Sequence, residues 1–156
     1  MKPTYCLLAL LGGLLAVLGA CSAPPPDQNT VTEQTAAAPA RIVLYYFHRT
    51  LRCDECLSME LFADTLIQTT FAQEVAVGTL VYDAVNLDED GNESYVDQFG
   101  LTFSTLVLVS EDDAGNMLEW RELDEAWDKA LDMDGFKAYV SEAVTAWLQD
   151  LQTASG

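Results

Sequence analysis
The stretch Ile42–Cys56, IVLYYFHRTLRCDEC, decides the fold. Its first six residues, Ile42 to Phe47, form an unbroken apolar and aromatic run, the pattern of a strand covered on both faces. A polar loop, HRTLR, leads into Cys53-Asp54-Glu55-Cys56. Beyond it Met59, Phe62, Ala63, Leu66, Ile67, Thr70 and Phe71 recur at three- and four-residue steps, which predicts an amphipathic helix. A CxxC pair therefore sits where a buried strand hands over to a helix.

Toward the C-terminus, Gly78 breaks the chain and Thr79 to Leu87 reads as a strand. Asp88 to Asn92 is a turn, a short helix is expected from Glu93 to Phe99, and Gly100 ends it. Thr105 to Val109, TLVLV, is a second buried-type strand. A polar turn, Glu111 to Asn116, precedes Met117 to Arg121, which alternates like a half-exposed strand. Last, Phe136, Tyr139, Val140, Ala143, Val144, Trp147, Leu148 and Leu151 make one helical stripe. The order is β-α-β-α-β-β-α. Strands alternating with helices favour parallel crossovers among the first three strands, and the tight last turn favours an antiparallel hairpin. The expectation is a three-layer α/β/α domain over residues 42–151 with a mixed central sheet and a tail at 152–156.

That order, with CxxC at the first strand–helix junction, resembles the thioredoxin fold. The segment Tyr45 to Glu60, YYFHRTLRCDECLSME, resembles more narrowly a small exported thioredoxin-like family with the signature aromatic-His-x-Thr-x-Arg-Cys-x-x-Cys. The resemblance implies a thiol–disulfide oxidoreductase, or an electron-transfer partner of membrane redox proteins, with no cofactor beyond the cysteine pair. The chain departs from ordinary thioredoxins at three points. Arg52 stands where they carry tryptophan, and IVLYYF offers no buried acid. Ser104-Thr105-Leu106 stands where they carry Pro-Thr-Leu, so Ser104 takes the substrate-docking position of the cis-proline and a cis bond there is disfavoured.

The reactive species of such a pair is the thiolate. At a helix N-terminus Cys53 meets unpaired N–H groups and the positive end of the helix dipole. Arg49 and Arg52 add positive charge, whereas Asp54, Glu55 and Glu60 act the other way. A Cys53 that ionises below the free thiol is expected, with Cys56 resolving the mixed disulfide. His48 and Glu60 are candidates for tuning the thiolate or handling protons. Two other readings stand beside this one. The pair could be a structural disulfide in a non-catalytic interaction domain, although so short a loop stabilises by only ~2 kcal/mol. It could also bind copper or zinc, with His48, Cys53 and Cys56 as ligands and Glu60 or a partner as the fourth, although no second CxxC completes a zinc site.

The N-terminal segment reads as an address. Lys2 precedes Cys6 to Leu18, an uncharged apolar run of 13 residues, short of the ~20 a spanning helix needs and matching a signal-peptide core. Leu18-Gly19-Ala20-Cys21 resembles the lipobox of bacterial lipoproteins. That resemblance implies cleavage after residue 20, with Cys21 as a lipidated N-terminus that holds the chain to the bilayer. The expected location is the bacterial cell envelope, facing the periplasm, with Ser22 favouring the outer membrane over the inner one. Residues 21–41 then form a Pro-, Ala- and Thr-rich tether, reaching ~25 Å as a coil and ~65 Å extended.

Seven Lys and Arg against 25 Asp and Glu give a formal charge of −18, and loss of the leader removes one more base. Such a surface repels phosphate, so no nucleic acid is expected as a partner. The expected partner is a protein dithiol or disulfide, with a membrane redox carrier as one form of it. A single histidine leaves little for multi-histidine metal sites. Asn86 to Asp97 mimics a calcium loop, but its last ligand is Asp and its flanks are a strand and a short helix, so a β-to-α turn is expected. Trp120, Trp127 and Trp147 read as packing residues. The five acids between Asp124 and Asp134 read as a solvated helical face or, less simply, a patch for a basic partner.

Overall fold
The computed structural model describes residues 39–154. The leader, Cys6, the lipidation candidate Cys21 and most of the tether lie outside the described residues. The elements are β1 (Arg41–His48), α1 (Asp54–Thr70), α2 (Ala72–Val77), β2 (Leu80–Asn86), α3 (Glu93–Phe99), β3 (Thr105–Glu111), β4 (Met117–Glu122), a 3-10 segment (Asp124–Lys129) and α4 (Met133–Ala154). Among the described residues no helix is long and apolar enough to cross a membrane.

The four strands form one sheet in the order β2-β1-β3-β4. Alternation along β1 divides the core in two. Ile42, Leu44 and Tyr46 point toward α1 and α4, whose Met59, Phe62, Leu66, Phe136, Val140 and Val144 share that cluster. Val43 and Phe47 point the other way, onto Phe99 of α3 with Tyr45, Tyr95 and Val96 packed alongside. The result is the expected three-layer α/β/α architecture with a mixed sheet. The helical stripe of α4 forms as read, with Tyr139 and Trp147 partly buried at its edges.

Three expectations are corrected. β1 and β2 are parallel, but β3 runs antiparallel to β1, with Thr105 opposite Phe47 and Arg41 opposite Glu111. The connecting helix is too short for a parallel crossover. α3 has seven residues, ~10 Å of helix, against ~23 Å for a strand as long as β2. The chain therefore turns back at the end where β2 finishes, so Ser104 enters the sheet beside the C-terminal end of β1. β4 is exposed along its whole length rather than on one face, as suits an edge strand carrying Glu119, Arg121 and Glu122. The acidic stretch from Asp124 is not one helical face. It is a 3-10 segment that ends at Lys129, and Asp134 belongs to the first turn of α4.

Candidate redox site
Cys53 caps α1 and is joined to Cys56 by a disulfide with the two Cα atoms 5.0 Å apart. Its backbone is extended, which frees Cys53 Sγ to accept a 3.1 Å hydrogen bond from the Cys56 N–H. One of the unpaired donors at the helix start is thus directed at sulfur. Asp54 and Glu55 occupy the first helical turn, where carboxylates favour the dipole. The two sulfurs differ in access. Cys53 is exposed, while Cys56 retains 7% of its surface and belongs to the core.

Beneath the disulfide lies Tyr46, fully buried. Its hydroxyl donates 2.6 Å to the carbonyl of Cys56. Burial pushes the Tyr46 phenol upward, and the nearby Arg52 guanidinium and Ser104 side chain oppose that rise. Ser104 is buried and its carbonyl accepts a 2.6 Å bond from Trp127 Nε1. Hydrogen bonds thus join Trp127 to Ser104 and Tyr46 to Cys56, with the Ser104 side chain near the Tyr46 hydroxyl.

The bases are placed differently from a pair of free cations. Arg52 forms an ion pair with Glu60, one helical turn beyond Cys56, and its guanidinium carbon lies 5.6 Å from the centre of the Tyr46 ring. Arg49 pairs with Asp88 at 2.9 Å, and the Thr50 N–H donates 2.8 Å to the other oxygen of Asp88. The Thr50 amide, followed by Arg49, holds the Asp88 carboxyl below its usual range. Asn86 completes this clasp. Its side-chain oxygen accepts from the Asp88 N–H at 3.1 Å, and its amide nitrogen donates 3.1 Å to the Thr50 hydroxyl. The loop that presents Cys53 is thus fastened to the turn after β2, and that turn is the β-to-α connection expected of Asn86 to Asn92.

His48 ends β1. Its ring stacks on Tyr46 at 5.8 Å, and Nδ1 lies 3.1 Å from the Arg49 carbonyl. Among the described residues no three His, Cys, Asp or Glu side chains converge as a metal would require. The structure therefore brings Arg52, Glu60, Ser104 and the His48 ring around Tyr46, while Arg49 turns to Asp88. Sequence reasoning missed Tyr46, Asp88 and Tyr82. Burial pushes the Tyr82 phenol well up, with Glu60 and Asp64 adding to the shift, and its hydroxyl has no hydrogen-bond partner among the described residues. A tyrosine in an apolar run carries no sequence signal beyond packing. Asp88 lies 38 residues from the amide it caps.

No family model matches the chain, and no curated protein is similar to it. Ten chains of solved structures are similar to it, two of them as follows. One, described as a malarial protein, is 20% identical with a TM-score of 0.35, and the match covers 53% of this chain and 80% of that one. The other, the solution structure of a thioredoxin from Thermus thermophilus, is 22% identical with a TM-score of 0.35 over 53% of this chain. The match spans 58% of that thioredoxin, under two thirds of its length.

Proposed function
We propose that the chain is a membrane-anchored thiol–disulfide oxidoreductase or electron-transfer protein working through Cys53 and Cys56. The observation that carries this reading is the asymmetry of the pair: an exposed sulfur at a helix N-terminus bridged to a buried one directly behind it. In the reducing direction the Cys53 thiolate attacks one sulfur of a partner disulfide, and the partner's other sulfur leaves as a thiolate. Cys56, deprotonated in turn, attacks Cys53 Sγ. The Cys53–Cys56 bond forms, the mixed disulfide breaks, and two electrons have passed to the partner. The oxidising direction is the reverse. The disulfide carries the chemistry without a further cofactor, and the partner is a protein dithiol or disulfide, a membrane redox carrier being one such partner.

Arg52 and Glu60 act on this cycle as a pair beside Cys56, Ser104 borders the ground a docking strand would use, and His48 and Arg49 shape the loop before Cys53. The leader and Cys21 support lipid anchoring in the envelope facing the periplasm, and Ser22 favours the outer membrane over the inner one. Incubation with a disulfide substrate tests the core of the reading: Cys56→Ser is expected to accumulate a mixed disulfide at Cys53, and its absence would remove the mechanism. A reduction potential near ~−270 mV would assign the pair as a donor, and one near ~−120 mV as an acceptor. Radiolabelled palmitate incorporation that Cys21→Ser abolishes is the expected result for the anchor.

A further inference from the structure
Phe103 is 72% exposed, although it directly precedes the buried Ser104. With Trp127 it lines an open cavity of about 400 Å³. The wall is fixed rather than loose, because Trp127 Nε1 is committed to the Ser104 carbonyl at 2.6 Å. The Ser104 side chain lies near Tyr46, whose hydroxyl bonds the Cys56 carbonyl. A fixed aromatic wall open to water offers apolar surface that a partner's side chain can cover.

The surroundings define what can fill it. Asp124, Glu125 and Asp128 lie exposed on the same 3-10 segment as Trp127. Lys129, the one base on this segment, is engaged with Glu125 at 3.4 Å, and Arg52 is paired with Glu60. An open apolar surface beside the carboxylates of the 3-10 segment disfavours a second copy of a chain whose formal charge is −18. It complements a basic segment bearing one bulky apolar side chain.

We infer that the Phe103–Trp127 cavity seats a large apolar side chain of the partner polypeptide, on a segment that carries Lys or Arg to either side of it. This rests on the oxidoreductase reading and specifies the partner for it. The site selects by filling one pocket and by charge, and leaves the reacting sulfurs the same for every partner.

The test is the rate at which the reduced full-length chain exchanges with synthetic peptides that share one activated cysteine disulfide. The peptides carry Phe or Ser near that cysteine, within Lys or Glu flanks. The Phe/Lys peptide is expected to react about tenfold faster than Ser/Lys, the difference of one apolar side chain partly buried. The Lys preference over Glu should shrink at high salt while the Phe preference persists. In Phe103→Ser, whose side chain is mostly exposed and outside the core, the Phe-to-Ser rate ratio should fall to near one. Equal rates for Phe and Ser peptides on the natural chain, or an undiminished ratio in Phe103→Ser, would overturn the inference. Hydroxyethyl disulfide separates the two levels. If it reacts at Cys53 while the peptides show no Phe preference, the pocket reading alone fails. If neither it nor any peptide reacts, the oxidoreductase reading fails and takes the pocket with it.

Discussion

The Tyr46 hydroxyl donates a 2.6 Å hydrogen bond to the carbonyl of Cys56, the buried member of the disulfide. Ten residues of loop and helix start separate the two, so this bond ties the second residue of the pair directly to the floor of the sheet. Tyr46→Phe keeps the ring in its place and deletes only the oxygen. A loss of about 1–3 kcal/mol is expected in urea unfolding of the oxidised protein, the range for a buried group left unsatisfied. Unchanged stability would show that the hydroxyl braces nothing.

The Arg52–Glu60 pair is only partly withdrawn from water, with side chains 17% and 35% exposed. Solvent screening therefore limits it well below a fully buried pair. Its placement over Tyr46 nonetheless orders both partners. A double-mutant cycle of Arg52→Met and Glu60→Gln should return a coupling of about 1 kcal/mol, at the upper end for exposed pairs. A coupling indistinguishable from zero would mean that the two charges act independently.

What could be read from the sequence was whatever is periodic or local. IVLYYF announces a strand buried on both faces, α4 shows its stripe, and CxxC before the α1 pattern marks the junction. The direction of β3 was not legible, because it depends on how far α3 can travel compared with the strand it follows. Arg49 and Arg52 read as charges near Cys53, yet their partners come from different distances. Glu60 is eight residues on and Asp88 thirty-nine. Only the folded chain shows that both charges are shared with carboxylates. Tyr46 hid within an apolar run for the same reason: nothing in six consecutive hydrophobic letters tells which hydroxyl will find a carbonyl.

Asp88 makes the approach to Cys53 pH-dependent. The Thr50 amide and Arg49 lower its folded pKa. Its contribution is therefore complete above the ordinary aspartate value and is lost as pH falls through the lower, folded one. The Thr50 amide resonance should shift with an inflection below 3.8, the usual value for the carboxyl. In Asp88→Asn that inflection should vanish and amide exchange at Thr50 should quicken. An inflection at or above the usual value would mean that the clasp does not hold in solution.

The unequal burial of the two cysteines predicts unequal chemistry once the bond is reduced. Cys53 is exposed and stays at the N-terminus of α1, where the Cys56 N–H points at its sulfur. Cys56 keeps 7% of its surface and packs in the core. Under native conditions iodoacetamide should modify Cys53 at least about tenfold faster than Cys56, with a pH midpoint below the ~8.5 of a free thiol. In denaturant, where neither burial nor a helix end remains, the two rates should converge. Mass mapping of singly alkylated protein reads the ratio directly. Comparable native rates, or faster modification of Cys56, would reverse the order of attack and resolution assigned to the pair.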